Sequence, residues 1–401
     1  MRPLGRVEGD AAEVTGVAID SRRVAPGDLF VAVAGGEVFL ADARVRGAAA
    51  TLVPDDEHAA LAALGSAVRA RSDARVVAIT GSVGKTSTKD ILAALLQPAR
   101  RTVAAEEGFN NEIGLPLTLC RIESDTEVVV TEMAMRGAGQ IRDLARIARP
   151  HLGVVTSIAP VHLALLGSLE AIARAKAELL EELPPGSVAV LPEHAPELEP
   201  FVPAGLDVRR FAPPEAEIRD GRTYVRWRDR EVVFSFAARH QATNAAAALE
   251  TAAALGVEPP DGLVEVTFSR WRSQEHDLPG GGLLINDAWN ANPVAVRAAL
   301  AHLRERAGGR RTVAILGEMA ELGPDAPRYH QEIGQDAANL ALVIGVGELA
   351  RGYAPGEWVA TAAEAAALAR ELVRPGDAVL VKGSRSVGLE VVAAALLEAS
   401  A

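Results

Sequence analysis

The chain has almost no cysteine, a shortage of positive charge and no long hydrophobic run. Its single cysteine, Cys120, rules out an internal disulfide, and in the segment PLTLC it fits a small core residue better than a nucleophile. The formal net charge of -12 argues against a protein that binds nucleic acid by neutralising many phosphates. No apolar run is long enough to span a bilayer or to act as a signal peptide. We therefore expect a cytoplasmic protein with no nucleic-acid partner and no membrane insertion.

What the chain does have is enough apolar sequence for several cores. Hydrophobic residues make up 49% of its 401 residues, too many for one core of ordinary size. Strand patterns alternate with helix patterns, which predicts parallel sheets that bind ligands at the carboxyl ends of their strands. We expect an α/β fold of three domains: a small N-terminal α/β domain over 1–73, a central P-loop parallel-sheet ATPase domain over 74–267, and a C-terminal Rossmann-like domain over 268–401. Short antiparallel strands are expected within 184–239, as an insertion or a sheet extension.

The most informative stretch is VVAITGSVGKTSTKD, residues 76–90, in which a strand pattern is followed by a glycine-bearing loop and a helix pattern. Such a loop points backbone N–H groups into one concavity at a helix N-terminus, Lys85 can reach terminal phosphates, and Thr86 can ligate Mg²⁺. The full Walker pattern would have a glycine in place of Ile79, so the match is to a shortened variant. The alternative is an ordinary turn with an exposed lysine. The predicted phosphate-binding residues are Thr80, Gly81, Ser82, Val83, Gly84, Lys85, Thr86 and Ser87.

Three further residues could take part in a metal site. Glu132 ends a predicted strand, where a carboxylate would help to hold Mg²⁺. His162 follows the next predicted strand, but a lone histidine is more often structural than a ligand. Lys176 lies four residues after Ile172 on the apolar stripe of a predicted helix, where a lysine usually extends its amine towards solvent. The residues alone leave the roles of His162 and Lys176 open.

The segment Asp20-Ser21-Arg22-Arg23 lies between two predicted strands of the N-terminal domain. A hydroxyl beside an arginine at a strand end suits a diphosphate, but the same residues also suit a solvated turn. In the C-terminal domain, residues 317–319 and 382–385 directly follow predicted strands. A site in that domain would form at those ends.

Seven ordered motifs resemble those of the Mur ligases: TGSVGKTSTKD, FNNEIGLPLTL, TEMAM, SIAPVHLALLGSLEAIARAKAELL, NDAWNANP, GEMAELG and VLVKGSRSVG. The resemblance covers nearly the whole chain and is closest to the members that join D-alanyl-D-alanine to UDP-N-acetylmuramoyl-tripeptide. It implies an ATP-dependent ligase of peptidoglycan synthesis that forms an acyl phosphate. Because three domains must enclose this water-sensitive intermediate, we expect the C-terminal domain to close over the central one. Alternatives are another Mur ligase, a folylpolyglutamate synthase or, more distantly, a P-loop switch or motor.

The resemblance also implies residue roles. Catalytic roles fall to Lys85, His162, Lys176 and Lys382. Mg²⁺, expected as two ions, would be held by Thr86, Glu132, His162 and Lys176, the last as a carbamate formed with CO₂. The adenine nucleotide would lie near Asn244, Arg272 and Asp287. The two substrates, UDP-N-acetylmuramoyl-tripeptide and D-alanyl-D-alanine, would contact Ser21, Arg22, Asn110, Asn111, Asn290, Asn292, Ser384 and Arg385.

The chain departs from the usual Mur ligase pattern at several positions. Leu40-Ala41-Asp42 replaces an Asp-Gly-His, which leaves the recognition of uridine undetermined. The other replacements are Val83 and Arg136, each for an asparagine, Gln241 for an asparagine, and Trp289 for a tyrosine. None removes a charge that the chemistry needs. The sequence does not determine whether the third residue of the tripeptide is diaminopimelate, lysine or ornithine, and we expect a monomer.

Overall fold

The structure is a computed structural model that describes residues 4–9, 11, 13–161 and 163–398. In this part of the chain the strands form four sheets, two with six strands and two with four. No helix within the described residues is both long and apolar enough to cross a membrane.

The N-terminal unit is one four-stranded sheet with two helices. Its elements are β1 (Gly5–Glu8), β2 (Gly16–Ala18), β3 (Asp28–Val31), α1 (Leu40–Val45), β4 (Ala50–Pro54) and α2 (Glu57–Ala70). The strand order is β1-β4-β3-β2, with β1 antiparallel to β4 and the other pairs parallel. Asp56 caps α2 by accepting a hydrogen bond from the Ala59 N–H at 3.0 Å.

The central unit is built on a six-stranded sheet in which every pair is parallel. Its elements are β5 (Arg75–Thr80), α3 (Lys85–Leu96), β6 (Thr102–Ala104), α4 (Gly114–Leu119), β7 (Val128–Glu132), α5 (Gln140–Ala148), β8 (Leu152–Val155), α6 (Leu163–Leu166), α7 (Leu169–Glu181), β9 (Val188–Pro192) and β10 (Asp207–Phe211). The order is β10-β9-β8-β5-β7-β6. Because β5 lies between β7 and β8, the loop that follows β5 opens at the middle of the sheet edge where ligands bind.

A second, smaller sheet packs on the central unit. Its elements are β11 (Ala216–Arg219), β12 (Arg222–Trp227), β13 (Arg230–Phe234), α8 (Gln241–Ala254) and β14 (Leu263–Val264). The first three strands are antiparallel neighbours, and β14 pairs with β13 in parallel. Their buried side chains share one apolar cluster with α3 and α8. Short antiparallel strands were expected within 184–239, as an insertion or a sheet extension. The structure shows both features, because β9 and β10 extend the parallel sheet and β11 to β13 are antiparallel.

The C-terminal unit is a six-stranded sheet with helices on both faces. Its elements are β15 (Gln274–Leu278), β16 (Gly282–Asp287), α9 (Pro293–Ala307), β17 (Thr312–Gly317), α10 (Ala326–Ala337), β18 (Leu342–Val346), β19 (Glu357–Val359), α11 (Ala362–Leu372), β20 (Ala378–Lys382) and α12 (Glu390–Glu398). The order is β15-β16-β20-β17-β18-β19, and only β15 runs antiparallel to its neighbour. Apolar clusters cover both faces of this sheet, which confirms the α/β fold class.

Candidate active site

A cavity of about 590 Å³ lies between the central and C-terminal units. The carboxyl ends of β5, β7, β16 and β20 converge on it, as expected for open α/β sheets. It brings together most of the residues that the sequence predicted for the site. Those that line it are Ser82, Val83, Gly84, Lys85, Thr86, Ser87, Asn110, Asn111, Glu132, Asn244, Arg272, Asp287, Asn290, Asn292, Lys382, Ser384 and Arg385.

Two glycines allow the loop after β5 to approach its neighbours closely. Gly84 has φ +90°, and a Cβ there would lie 2.2 Å from Asn244 Oδ1. Gly81 has φ +145°, and a Cβ there would lie 2.0 Å from Thr156 Oγ1. Any larger residue would force the loop away from α8 or from the end of β8.

The segment after β8 fixes the first half of this loop. The N–H groups of Ser82 and Val83 donate to Ser157 O and Ser157 Oγ, each at 2.9 Å. These two residues therefore shape the loop in this structure. The helix α3 begins at Lys85, and the backbone N–H groups of its first turn have no acceptor within the helix. These N–H groups are available to bind an anion.

A lysine and a glutamate face each other beside the loop. Lys85 Nζ donates to Gly81 O at 2.8 Å, and Glu132 Oε1 accepts from Asn110 Nδ2 at 2.9 Å. Burial opposes ionisation of Glu132. The charges of Lys85 and Arg272 and the hydrogen bonds from Asn110 and Thr86 nevertheless hold the pKa of its carboxyl below the ordinary value. Burial lowers the pKa of the Lys85 amine, an effect that Glu132 opposes. The pair is thus a compensated charge centre at the base of the cavity.

Thr86 and Glu132 are oxygen donors of the kind that Mg²⁺ prefers. The Thr86 hydroxyl donates to the Glu132 carboxylate, so the two donors lie side by side. His162, the third predicted ligand, lies outside the described residues. Within the described residues no group of three or more histidine, cysteine, aspartate or glutamate side chains is placed to hold a metal ion.

Lys176 is buried in α7, with 1% of its surface exposed. Burial, together with the nearby charge of Lys85, lowers the pKa of its amine well below the ordinary value. Its amine forms no hydrogen bond or ion pair with any residue that the structure describes. The side chain therefore does not extend to solvent, and its neutral amine is the favoured form.

On the opposite side of the cavity, Lys382 is held inside the C-terminal unit. Its Nζ donates to Asp287 Oδ2 at 2.6 Å and to Asn290 O at 2.8 Å, and 2% of the residue is exposed. Asp287 Oδ1 also accepts from the Ser273 N–H at 3.2 Å. In this structure Lys382 lines the cavity and positions the segment after β16.

Several predicted substrate residues line the cavity but use their polar atoms locally. Asn111 Oδ1 accepts from Gly114 N at 2.9 Å, and Asn292 Oδ1 accepts from Ala295 N at 2.9 Å, so each caps the start of a helix. Ser384 Oγ accepts from the Ala320 N–H at 2.8 Å. These side chains shape the walls of the cavity.

Sequence reasoning missed an aromatic and guanidinium stack at the cavity wall. The rings of Trp271 and Trp289 stack with centroids 5.9 Å apart. Arg385 lies 4.9 Å from the Trp271 centroid and Arg272 lies 5.5 Å from the Trp289 centroid. No motif marked Trp271, because its place in the stack depends on the turn between the two units.

Ser21 and Arg22 lie apart from this cavity, in the N-terminal unit. Ser21 is buried and donates to the Asp42 carboxylate, which lowers the pKa of that group. The Arg22 guanidinium pairs with Asp20 at 2.7 Å. A ligand that reached both places would have to be long.

Comparison with known proteins decides the family. The model described as Mur ligase middle domain matches residues 79–252, and the model described as Mur ligase, glutamate ligase domain matches residues 271–385. The chain is 36% identical to UDP-N-acetylmuramoyl-tripeptide--D-alanyl-D-alanine ligase of Mycobacterium tuberculosis, over 97% of this chain and 94% of that protein.

The chain belongs to the Mur ligase family.

Solved Mur ligases resemble this one along its whole length. MurF from Acinetobacter baumannii is 28% identical with a TM-score of 0.83, and the match covers 95% of this chain and 93% of that one. MurF from Thermotoga maritima, solved in complex with ADP, is 26% identical with a TM-score of 0.83, over 96% and 97% of the two chains. The three-domain organisation of this Mur ligase is therefore that of MurF, although the residue boundaries at 73/74 and 267/268 stay a prediction.

Proposed function

We propose that this Mur ligase uses ATP to join D-alanyl-D-alanine to UDP-N-acetylmuramoyl-tripeptide, a step of peptidoglycan synthesis. The observation that carries the proposal is the cavity in which a phosphate loop faces the C-terminal unit, in a chain that resembles such ligases over nearly its full length. Other Mur ligases and folylpolyglutamate synthases fit less well, because the full-length relatives above carry the dipeptide-adding name.

The first step would activate the tripeptide. An oxygen of its terminal carboxylate attacks the γ-phosphorus of ATP, the bond from that phosphorus to the bridging oxygen breaks, and ADP leaves. Lys85 and the first-turn N–H groups of α3 would neutralise the phosphates during this transfer. Mg²⁺, held by Thr86 and Glu132, would supply further charge neutralisation when bound.

The second step would form the amide bond. The free amine of the dipeptide attacks the carbonyl carbon of the acyl phosphate, phosphate leaves, and the amine loses a proton. Asn290 and Arg385 lie on the C-terminal side of the cavity, where the dipeptide would enter, and Asn110 lies on the opposite wall. Asn244, Arg272 and Asp287 would surround the adenine nucleotide, and Ser21 with Arg22 would hold the distant uridine diphosphate.

Lys176 would act as a carbamate. A neutral amine can add to CO₂ with loss of a proton, and the product is an anionic oxygen ligand where an ammonium would repel Mg²⁺. The burial and lowered pKa of Lys176 favour the neutral amine that this addition needs. His162, as a further metal ligand, stays a prediction, as do the cytoplasmic location and the monomeric state.

The carbamate predicts chemical rescue. Lys176→Ala should lower the rate of ADP release by at least about 100-fold, because a metal ligand is lost, and added acetate or formate should restore part of it. The matched control is Lys89→Ala, which removes a buried lysine of α3 that donates to Ala105 O at 2.8 Å. Rescue confined to the Lys176 variant is the expected result, and full activity in Lys176→Ala without carboxylate would contradict the carbamate.

The function itself is tested by measuring ADP release with UDP-muramoyl peptides in the presence and absence of D-alanyl-D-alanine. We expect release only when both the tripeptide and the dipeptide are present, with the pentapeptide as product. Full turnover of ATP without any amine would favour a P-loop switch or motor. Preference for another acceptor or amine would favour a different ligase of the same architecture.

A further inference from the structure

Two charged side chains at the rim of the cavity are not used by the proposed chemistry. Arg136 and Glu112 both line the cavity, and both are exposed. Among the residues that the structure describes, neither side chain forms a hydrogen bond or an ion pair. By contrast, Arg142, a short distance along the chain, pairs with Glu181. A cation and an anion are thus left free beside the substrate path.

The two free charges lie on adjacent loops. The Ala134 N–H donates to Asn110 O at 2.8 Å, so the loop after β7 and the loop before α4 are joined by a backbone hydrogen bond. Arg136 and Glu112 each lie two residues beyond this bond. Asn110 also donates to Glu132 at 2.9 Å, which connects the same pair of loops to the charge centre beside the phosphate loop.

Both loops are fixed before any ligand arrives. Gln140 Oε1 accepts from the N–H groups of Arg136 and Gly137 at 2.6 and 3.1 Å. On the other loop, Asn111 Oδ1 accepts from Gly114 N at 2.9 Å. Binding therefore has to order the two side chains but not the backbone that carries them.

The position of these charges relates to the third residue of the tripeptide. That residue carries the carboxylate that must reach the phosphate loop, so its side chain starts near Glu132 and can extend towards the rim. A side chain that ends in an ammonium alone would pair with Glu112 and leave Arg136 facing a like charge. A side chain that ends in both an ammonium and a carboxylate would pair with both.

We propose that Arg136 and Glu112 select a tripeptide whose third residue ends in an amino-acid group, as diaminopimelate does, over one that ends in lysine or ornithine. This rests on the proposed function. Arg136 would bind the distal carboxylate and Glu112 the distal ammonium. Both would be specificity-determining residues, separate from the groups that transfer the phosphoryl group.

The test compares three acceptors: tripeptides that end in diaminopimelate, in diaminopimelate with its distal carboxyl amidated, and in lysine. For the wild type we expect kcat/KM to be about 10- to 150-fold higher with the first than with the other two, which is the range of one charge-assisted hydrogen bond. Arg136→Gln should abolish this preference by raising KM for the first acceptor, with kcat retained. Arg136→Glu should shift the preference towards lysine.

Two controls separate recognition from damage. Arg226→Gln removes an exposed arginine of β12 that lies outside the cavity, and it should leave the preference intact. Glu112→Gln should raise KM for all three acceptors, because each carries the ammonium. An equal loss with all acceptors in Arg136→Gln, or a wild type without preference, would overturn the inference. A wild type that releases ADP with none of the acceptors would instead contradict the proposed function.

Discussion

The central unit meets its two neighbours through surfaces of different kinds. Towards the N-terminal unit the surface is apolar: Leu117, Phe109 and Ile113 of the central unit pack into the core cluster of the N-terminal sheet. The helices α2 and α4 approach so closely that a Cβ on Gly65 would lie 2.8 Å from Pro116 Cα. This surface is continuous with a core, so we expect the two units to move as one.

A buried arginine strengthens that surface. Arg69, at the end of α2, is 7% exposed. Its guanidinium donates to Ala148 O at 2.9 Å, to Ser72 O at 2.8 Å and to Arg149 O at 3.3 Å. Two of these carbonyls lie at the end of α5, where the helix itself supplies no donor for them. A side chain of the N-terminal unit therefore completes the hydrogen bonds at the end of a helix of the central unit.

Towards the C-terminal unit, several of the contacts are polar. Within the described residues, no apolar cluster includes side chains of both the central and the C-terminal six-stranded sheets. Asp90 Oδ2 accepts from Ser269 N at 2.9 Å, and Arg239 pairs with Glu305 at 3.2 Å. The rings of His240 and His302 meet with centroids 5.4 Å apart.

The segment that connects the central and C-terminal units has a strained backbone. Trp271 has φ +56° and Ser273 has φ +50°, a backbone region that residues other than glycine rarely adopt. Changes at the N-terminal surface should therefore be detected as lost stability. Changes at the C-terminal surface should be detected as altered opening and closing of the cavity.

The largest effect on stability is expected from Arg69→Met. Loss of the guanidinium leaves three carbonyl groups without their donor, and we expect the free energy of unfolding to fall by about 2–4 kcal/mol. Urea denaturation measures it. Arg71→Met, two residues further along and exposed, is the matched control and should change the value by less than about 0.5 kcal/mol. Equal effects of the two changes would show that the N-terminal surface is not held as described.

A smaller loss of stability is expected at the surface towards the C-terminal unit when the pH is lowered. Burial, with His302 nearby, lowers the pKa of His240 from 6.5 to about 4, an effect that Asp287 opposes. Below pH 6.5 the unfolded chain therefore binds a proton at His240, whereas the folded chain does not bind it until the pH approaches 4. The free energy of unfolding is highest above pH 6.5 and decreases as the pH falls towards 4. Between pH 6.5 and 5 the wild type should lose about 2 kcal/mol more than His240→Gln.

Denaturation followed by tryptophan fluorescence measures this difference, since Trp271 and Trp289 lie in the C-terminal unit. If the wild type and His240→Gln lost stability in parallel between pH 6.5 and 5, the neutral imidazole would have no part in holding the surface.

The smallest effect is expected at the exposed pair of Arg239 and Glu305. The Arg239 and Glu305 side chains are 57% and 39% exposed, so Arg239→Gln should change the free energy of unfolding by less than about 1 kcal/mol. Thermal denaturation with and without 1 M salt measures it, since salt should remove even that difference. A loss as large as that in Arg69→Met would mean that the two surfaces are alike after all.

Much of the fold followed from the sequence, because apolar strand patterns alternate with helix patterns. The buried strand at 76–80 and the helix capped by Ser168 are examples that local residues determine. The strand Gln274–Leu278 was missed because its residues are mostly polar and it pairs at the edge of the sheet. Such strands are specified by a neighbour and not by their own pattern.

The site was predicted more fully than its contacts. Lys85 and Glu132 were expected at one place, since Lys85 begins a helix and Glu132 ends a strand at the ligand-binding edge. Asp287, which only the family resemblance placed near the nucleotide, lines the same cavity. The internal pairing of Lys382 with Asp287 and the use of the Val83 N–H by Ser157 were not predictable. Both depend on distances between segments that lie far apart in the chain.

Closure of the cavity, in which the C-terminal unit moves against the N-terminal and central units as a pair, is tested most directly by distances between spin labels. One pair would join exposed sites of the N-terminal and central units, at Arg46 and Arg226, and a second pair would join Arg226 to the exposed Glu398. With an ATP analogue and Mg²⁺, the second distance should shorten and the first should stay unchanged. An unchanged second distance, or a shift of both, would contradict this closure.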